Sequence, residues 1–332
     1  MNEISDKRPT LRSLAEITGL GISTVSQALR NSPEIASETR ERVQLAARQI
    51  GYRPNRAGVR LRTGKTNVIA LILNAQDGGS GFFANMVYGI SEALKGTQYH
   101  LVVTPYSLAD PMEPVRYIVE TGSADGVIIS RTQPDDPRVR YLAENKMPFA
   151  THGRTEMDVE HAYFDHDNAA FAFDAVRQLV ARRRKSLVLV SPPPQLSYYH
   201  HTLKGFDRGL AQFGATGFML PGANTDTSMH DLRDAGLQLA RRRDVPDGIV
   251  CVSSSTALAL IAGLRMGGLE LGRNYDLVAK PVNDLIMIAH PEIIAIDEDF
   301  NHAGHQLARM VMARIAGTPP IVLQMLDAPK PS

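Results

Sequence analysis

The sequence is poor in cysteine and in long apolar runs. Cys251 is the single cysteine among 332 residues, so neither a disulfide nor a cysteine-based zinc site can form within one chain. It lies in the apolar stretch GIVCV, where a buried and inert thiol is expected. No apolar run approaches the roughly 18 residues that span a bilayer, and MNEISDKRPT has no apolar signal-peptide core. We therefore expect a cytoplasmic protein without membrane contact.

The chain also has little net charge, but its charge is unevenly distributed. Residues 1–66 hold 12 Lys and Arg against 6 Asp and Glu, a charge of +6, and the remaining residues hold 24 against 29, a charge of −5. A small basic segment joined to a mildly acidic body is typical of a nucleic-acid-binding module attached to another domain. A solvated, arginine-rich surface is the alternative, and charge alone does not separate the two.

The first 53 residues are predicted to form three short helices. Thr10 fits the N-cap of the first helix, LRSLAEIT, and Gly19 fits the left-handed residue that ends it. The next two helices have the sequences ISTVSQALR and ETRERVQLAARQI, each with an apolar stripe. A helix, a tight glycine turn and a second helix with a polar face form a helix-turn-helix, whose second helix enters the major groove of DNA.

The second helix separates apolar from polar side chains. Val25 and Ala28 lie on its apolar stripe, whereas Ser23, Ser26 and Gln27 lie on or near the opposite face. Hydroxyl and amide side chains bond to phosphates and base edges, and Gln27 can form two hydrogen bonds with adenine. The pattern therefore favours a DNA-reading helix, and an ordinary polar face on a three-helix cap is the alternative.

The next segment, residues 52–66, is strongly basic and contains one large aliphatic side chain inside it, Leu61. Pro54 marks a break in the chain. Residues 55–62 can form about two helical turns once phosphates neutralise the arginines, and Leu61 then fits a wedge inserted into a minor-groove base step. The alternative is a flexible basic linker. We assign residues 1–53 to the helix-turn-helix domain and 54–66 to a hinge helix or linker.

Residues 10–66 resemble the amino-terminal signature of the lactose/galactose repressor family of bacterial transcription regulators. The matching features are Thr24-Val25-Ser26, the T-R-E-R-V of the third helix, the G-Y-x-P-N that begins at Gly51, and Leu61. The resemblance implies a homodimer on double-stranded DNA, at a near-palindromic operator whose bases are read by Ile22, Ser23 and Gln27. It implies these DNA-contacting residues: Thr10, Leu11, Ile22, Ser23, Thr24, Ser26, Gln27, Asn31, Tyr52, Asn55, Arg56, Arg60 and Leu61.

Four positions depart from the family pattern. Gly21 replaces the usual serine N-cap, at a cost of only a few tenths of a kcal/mol. Ile22 can contact a thymine methyl group or turn inward. Gln27 stands where arginine is common, which shifts the preference away from guanine. Gly58 replaces alanine in the hinge helix at about 0.8 to 1 kcal/mol, so we expect weaker DNA binding than in an alanine variant.

From Asn67 onward, short apolar runs alternate with amphipathic stretches. The runs VIALIL, HLVVT, GVIIS and MPFAT form a first series, and SLVLVS, GFML, GIVCV, YDLVA and IIAI form a second. This alternation predicts an α/β fold with doubly wound parallel sheets. A break near residues 155–165 indicates two lobes. Ligands of such sheets bind at the carboxyl ends of the strands, so we expect the site in a cleft between the lobes.

The body resembles the same repressor family, whose sensor domain is built like a periplasmic sugar-binding protein. The matching elements are Phe82-Phe83, DGVII, DHDNAA, KGF and AGHQLAR. The resemblance implies that residues 67–332 form a two-lobed effector-binding and dimerisation domain. The sequence shows no cofactor motif, and His302 and His305 fit a helix surface better than a metal site, so we predict neither a cofactor nor a metal.

The expected pocket departs from the family at three places. Thr202 stands where an arginine is common, Ser253 begins a serine run in place of Asn-Asp, and Lys280 lies in place of the tyrosine of Gly-Tyr-Asp. No particular family ligand can therefore be carried over. A saccharide or polyol fits best, and Arg154 and Lys280 leave room for a sugar acid. The predicted effector-binding residues are Phe82, His152, Arg154, Asp167, Tyr198, His201, Thr202, Ser253 and Lys280.

Together these features predict a ligand-responsive, dimeric transcription regulator. We expect a repressor of carbohydrate uptake or catabolism genes that a sugar-like inducer releases from a palindromic operator, although corepression fits the same mechanism. The solute-binding protein of a transporter is the alternative, against which the basic amino-terminal segment argues. An enzyme is not expected, since GGSG at 78–81 lacks the lysine and hydroxyl of a P-loop and no G-x-S-x-G motif occurs.

Overall fold

The computed structural model describes residues 9–52, 64–74, 81–281 and 285–329. Internal contacts divide the chain into two compact units, Met1–Thr66 and Asn67–Ser332. The boundary between them lies at the end of the basic segment. The predicted hinge helix falls largely within residues 53–63, so the contacts predicted for Asn55, Arg56, Arg60 and Leu61 lie outside the described residues.

The first unit contains three helices: α1 (Leu11–Thr18), α2 (Ile22–Leu29) and α3 (Ser37–Gln49). The Thr10 side chain accepts a hydrogen bond from the Ser13 amide, and Gly19 adopts a left-handed conformation with φ of 68°. Both features agree with the sequence prediction, as does the apolar core, in which Val25 and Ala28 are fully buried. The short turn between α1 and α2 completes a helix-turn-helix.

The second unit contains two parallel sheets. The first has the strand order β11-β5-β4-β3-β1-β2 and the second has the order β10-β9-β8-β6-β7. The strands are β1 Val68–Asn74, β2 His100–Tyr106, β3 Gly126–Ile129, β4 Phe149–His152, β5 Ala162–His166, β6 Ser186–Val190, β7 Thr216–Met219, β8 Gly248–Cys251, β9 Asp276–Ala279, β10 Ile294–Ala295 and β11 Gln324–Asp327. Most central strands read as unbroken apolar runs because helices cover both faces of each sheet.

Helices flank both sheets. They are α4 Gly81–Leu94, α5 Glu113–Thr121, α6 Pro137–Glu144, α7 Asn168–Ala181, α8 Ser197–Phe213, α9 Met229–Ala240, α10 Ser254–Met266, α11 Leu285–Ala289 and α12 Phe300–Ile315. One apolar cluster on each face of each sheet holds the layers together. The α/β fold with doubly wound parallel sheets is thus as the sequence predicts.

The lobes exchange chain segments. The first lobe contains residues 68–166 and then the carboxyl-terminal pieces α12 and β11, whereas the second contains α7 to β10. The sequence indicates a break between the lobes near residues 155–165. The chain instead leaves the first lobe after His166, because Ala162–His166 forms β5 inside the first sheet. Strand β11 pairs with β5 through Gln324 and Tyr163, so a strand near the carboxyl end of the sequence belongs to the first lobe.

Candidate functional site

A cavity of about 710 Å³ lies between the two lobes of the second unit. Its walls come from the carboxyl ends of strands in both sheets. Ser130 and His152 follow β3 and end β4 in the first sheet, and Ser253 and Lys280 follow β8 and β9 in the second. The position is the one that parallel α/β sheets use for ligands, and the volume is typical of small-molecule sites.

Three aromatic rings form one wall of the cavity. The ring centroids of Phe82 and Phe300 lie 4.9 Å apart in an edge-to-face arrangement. His152 lies 5.6 Å from Phe82 and 5.9 Å from Phe300. Such edge-to-face and tilted contacts fix ring orientation. The wall therefore offers a preformed apolar surface beside the polar groups.

A buried ion pair occupies the floor of the cavity. Lys280 Nζ donates to Glu298 Oε2 at 2.7 Å and to Asn168 Oδ1 at 2.6 Å. Burial opposes ionisation of Glu298, but attraction to Lys280 and, when they are protonated, to His166 and His152 outweighs it, and the pKa of Glu298 falls to about 2. Glu298 is therefore a carboxylate at neutral pH, and it neutralises Lys280.

A second pair joins Arg154 to Asp165. Arg154 Nη1 donates to Asp165 Oδ2 at 2.8 Å, and the Asp165 side chain is 4% exposed. Burial raises the pKa of Asp165 to about 7, and the attraction of Arg154 opposes this rise only in part. The guanidinium of Arg154 thus already has an acceptor, and the carboxyl of Asp165 lies close to its titration range at neutral pH.

The third pair links the two lobes directly. Arg131 follows β3 of the first lobe, and Asp226 lies in the loop between β7 and α9 of the second. Arg131 Nη1 donates to Asp226 Oδ1 at 3.0 Å, and Nη2 donates to the other carboxylate oxygen. A two-bond arginine–carboxylate contact has a defined geometry. It therefore fixes the separation of the lobes at this edge of the cavity.

Several neutral polar atoms around the cavity are buried without a hydrogen-bond partner among the described residues. Within the cavity lining these atoms are Ser130 Oγ, His152 Nε2, Ser197 Oγ, His201 Nδ1, Thr225 Oγ1 and Thr256 Oγ1. His152 Nε2 lies 3.6 Å from Glu298 Oε1, which is too long for a hydrogen bond. Leaving a buried polar group unpaired costs about 1 to 3 kcal/mol, so these atoms are suited to a ligand or bound water.

Most of the predicted effector residues meet at this cavity. Seven line it, namely Phe82, His152, Arg154, Tyr198, His201, Ser253 and Lys280. Asp167 does not, because its side chain caps α7 by accepting from the Ala170 amide at 2.8 Å. Thr202 does not either, because it is fully buried within α8 and donates to the Tyr198 carbonyl. Both side chains therefore have structural partners away from the cavity.

Sequence reasoning missed four charged residues of the cavity: Arg131, Asp165, Asp226 and Glu298. Three of them had a usable signal. Asp165 lies in the DHDNAA motif, two residues before the Asp167 that was selected, and Glu298 follows the IIAI strand at its carboxyl end. Arg131 directly follows the GVIIS run. Asp226 lies in a long loop after β7 with no local pattern that marks it.

The second helix of the first unit presents a mixed surface. Ser23 is exposed, Thr24, Ser26 and Gln27 are half-buried, and Ile22 is 49% exposed, so it does not turn inward. Gly21 precedes the helix without a side-chain cap, as the sequence indicates. The Gln27 amide lies 3.5 Å from a carboxylate oxygen of Glu34, which is a weak contact. The polar groups are thus accessible on one side of α2.

Four other predicted DNA-contacting residues belong to the same unit. Thr10 is exposed, but its hydroxyl caps α1, and Leu11 packs partly against the helical core. Asn31 is exposed with φ of 58°, and its side chain accepts from Gln44 at 2.6 Å. Tyr52 also packs against the core, and burial raises the pKa of its hydroxyl. The DNA contacts of these four residues remain predictions.

Comparison with known proteins covers both units. Residues 10–55 match the family described as bacterial regulatory proteins, lacI family, and residues 66–324 match periplasmic binding proteins and the sugar binding domain of the LacI family. The HTH-type transcriptional regulator RafR of Escherichia coli is 31% identical over an alignment of 334 positions that covers 96% of each chain. The chain belongs to the lacI family of bacterial regulatory proteins.

Solved structures share the fold of this lacI-family chain. The Lac repressor dimer bound to operator and the anti-inducer ONPF has a TM-score of 0.83 at 17% identity, with 98% of this chain and 97% of that chain covered. The CelR–cellobiose complex has a TM-score of 0.71 at 23% identity, with 97% and 98% covered. The first comparison spans both the helical unit and the two-lobed unit.

Family membership decides between the predicted classes of protein. The lacI family consists of DNA-binding transcription regulators and not of enzymes. This chain is therefore a ligand-responsive DNA-binding regulator, and the alternative of a transporter's solute-binding protein is wrong. Among the described residues, no helix has both the length and the apolar character required to cross a membrane.

Proposed function

We propose that this regulator is a cytoplasmic homodimer that represses carbohydrate genes and leaves its operator when a sugar binds between the lobes. The cavity between the sheets is the observation that carries the proposal, since it joins an aromatic wall to many hydroxyl and imidazole groups. Sugars present both apolar faces and hydroxyl groups, so they match such a site. The sugar-binding family match and the dimeric Lac repressor on its operator support it further.

A cavity of about 710 Å³ favours a ligand larger than one sugar ring. At roughly 30 Å³ per water molecule, the cavity holds about two dozen waters. A single hexose displaces fewer than that. The similar CelR structure contains cellobiose, a disaccharide. We therefore propose a di- or trisaccharide. A thermal-shift screen tests this, because ligand at 100 times its dissociation constant stabilises the folded state by about 2.7 kcal/mol.

The proposed operator contacts come from α2, with Ser23 and Gln27 reading base edges and Ile22 contacting a thymine methyl. We also propose, from the resemblance of the hinge segment to the family, that four hinge residues contact DNA: Asn55, Arg56, Arg60 and Leu61. A titration of genomic fragments with the full-length chain tests it, because phosphate contacts make binding sensitive to salt. Retention that is neither selective among fragments nor sensitive to salt contradicts operator binding.

The base preference of Gln27 offers a sharper test. Glutamine pairs with adenine and arginine with guanine. Selection from a randomised operator library should therefore yield adenine at one position of each half-site for the wild type and guanine for Gln27→Arg. Identical selected sequences contradict the assignment of Gln27 to base reading.

A further inference from the structure

The charged groups of the cavity are already paired with one another. The described part of the lining contains three cations, Arg131, Arg154 and Lys280, and three carboxyl groups, Asp226, Asp165 and Glu298. Each cation contacts one carboxyl group, with nitrogen–oxygen distances of 3.0, 2.8 and 2.7 Å. When Asp165 is ionised, above its pKa of about 7, no formal charge of this described lining is left over to face a ligand of opposite sign.

The histidines of the cavity do not add a positive charge at neutral pH. Burial lowers the pKa of His152, and Lys280 lowers it further, although Glu298 opposes the shift. Burial, followed by repulsion from Arg154, lowers the pKa of His201 to about 4. Both imidazoles are therefore neutral at neutral pH, each with a nitrogen that finds no partner among the described residues.

The groups left for a ligand are neutral and can pair with hydroxyl groups. Around the cavity, the buried hydroxyls of four residues have no hydrogen-bond partner within the part of the chain that the structure describes: Ser130, Ser197, Thr225 and Thr256. A hydroxyl donates one hydrogen bond and accepts others, and a neutral imidazole does the same through its two nitrogens. A compound with many hydroxyl groups satisfies such a set, whereas a carboxylate or phosphate only accepts.

We infer that the effector is an uncharged saccharide, and that neither a sugar acid nor a sugar phosphate is the effector. The inference rests on the proposed function of the cavity as the effector site, and it narrows the sequence prediction, which left room for a sugar acid. An anionic ligand enters a site whose cations are each neutralised, so its charge is buried without a counter-ion. A neutral sugar meets the unpaired hydroxyl and imidazole groups without that cost.

The test uses pairs of sugars that differ in charge. The full-length chain is titrated at pH 8 with lactose and lactobionate, cellobiose and cellobionate, maltose and maltobionate, galactose and galacturonate, and glucose and glucose 6-phosphate. An extract of sugar-grown cells is examined in parallel by native mass spectrometry, which gives the composition of any retained compound. We expect retained compounds to be neutral and every neutral sugar that binds to do so at least tenfold more tightly than its anionic partner.

Two variants test the physical reason. Glu298→Gln removes the counter-ion of Lys280, and Asp165→Asn removes that of Arg154, each with little change of shape. Either variant should lower, at least tenfold, the ratio of the dissociation constant of the anionic sugar to that of its neutral partner. Asp244→Asn is the matched control, because Asp244 pairs with Arg242 on the exposed surface, so the same change of charge should leave the ratio unaltered. Thermal melting identifies a variant that fails to fold, and the other variant then decides.

The outcomes separate this inference from the proposed function. The inference is overturned if the wild type binds an anionic sugar or sugar phosphate as tightly as its neutral partner. It is also overturned if the wild type retains an anionic sugar from the extract instead of a neutral one. Both results leave a sugar-responsive regulator. Unchanged ratios in the folded variants also overturn the inference. Binding of no saccharide from either source overturns the inference together with the sugar effector, whereas operator binding in the same samples still reports on DNA recognition.

Discussion

At the scale of the residue, the start of the DNA-reading helix lacks a stabilising cap. Gly21 has φ of −64°, which serine adopts without strain, and an added Cβ meets only Ser23 and Thr24 side-chain oxygens, at 3.8 Å. Gly21→Ser should therefore raise the free energy of unfolding of the helical unit by a few tenths of a kcal/mol. Thermal unfolding followed by circular dichroism measures the change.

Gly19→Ser is the matched control for this prediction. Gly19 has φ of 68°, a left-handed conformation that serine adopts only with strain. The same substitution two residues earlier should therefore lower the melting temperature. If both variants shift the melting temperature in the same direction, the backbone conformations at the turn differ from those described.

The two buried carboxyl groups of the cavity predict opposite effects of pH on stability. The pKa of Asp165 is raised from 3.8 to about 7. Its stabilising contribution to the free energy of unfolding is therefore fully present below pH 3.8 and is lost as the pH rises through about 7. Asp165→Asn removes this titration. The wild type should therefore lose a few kcal/mol relative to the variant between about pH 4 and 7, measured by denaturant unfolding at each pH.

Glu298 provides the opposite comparison. Its pKa is lowered from 4.5 to about 2. Its stabilising contribution to the free energy of unfolding is therefore present above pH 4.5 and is lost as the pH falls through about 2. Glu298 itself stays ionised from pH 5 to 8, so the difference in stability between wild type and Glu298→Gln should change there only through Asp165, whose pKa the charge of Glu298 helps to raise. A pH dependence of that difference as large as the one for Asp165→Asn, or no pH dependence for Asp165→Asn, contradicts the described pairing.

The DHD motif shows how far residue types predict a site. Asp165 and Asp167 are separated by two positions, so on a continuous strand both point to the same face. The strand ends at His166, however, and Asp167 is already the N-cap of α7. The sequence does not fix where a strand ends to within one residue. The motif was therefore predicted correctly as part of the site, but the carboxyl group selected from it was the one that caps a helix.

At the scale of the element, apolar runs predicted most of the strands. They did not predict β5, because only two of the residues in AYFDH, Ala162 and Phe164, are small or apolar and buried, and the others are a tyrosine, an acid and a histidine. Its pairing with β4 and β11 makes it a strand, and β11 comes from the far end of the sequence. Local patterns carry no information about such a distant partner.

The packing of α4 against α12 depends on glycine. A Cβ at Gly304 would overlap the Met86 carbonyl oxygen and lie 3.1 Å from the Ile90 amide nitrogen. Alanine is a better helix former than glycine by about 1 kcal/mol, but here the backbones are too close. Gly304→Ala should therefore destabilise the protein by about 1 to 3 kcal/mol, which thermal or denaturant unfolding of the full chain detects.

Ser91→Ala, on the exposed side of α4, is the control for helix propensity alone. It introduces the same residue without a close backbone contact, so stability should stay unchanged or rise slightly. A stabilising Gly304→Ala would show that the helices have room to separate, and the close packing of the two backbones would then be wrong.

At the scale of the whole molecule, ligand response requires that the two lobes have more than one arrangement. The lobes meet around a cavity whose charged groups include one pair, Arg131 and Asp226, with a partner in each lobe. Both side chains are mostly buried, so their attraction is less screened than that of a surface pair. The pair therefore favours the arrangement in which the lobes are close together.

Asp226→Asn should shift the lobes toward a wider separation in the absence of sugar. The substitution keeps the shape but removes the charge that holds Arg131, so the equilibrium moves by the free energy of that pair. Spin labels at exposed positions of the two lobes, Glu120→Cys and Arg243→Cys, report the separation, since the native Cys251 is fully buried. We expect a longer mean distance and weaker sugar binding than in the wild type, with Asp244→Asn unchanged. Because sugar and DNA affinities are linked through the same equilibrium, a variant with a wider cleft but an unaltered response of operator binding to sugar would show that this pair does not contribute to the coupling.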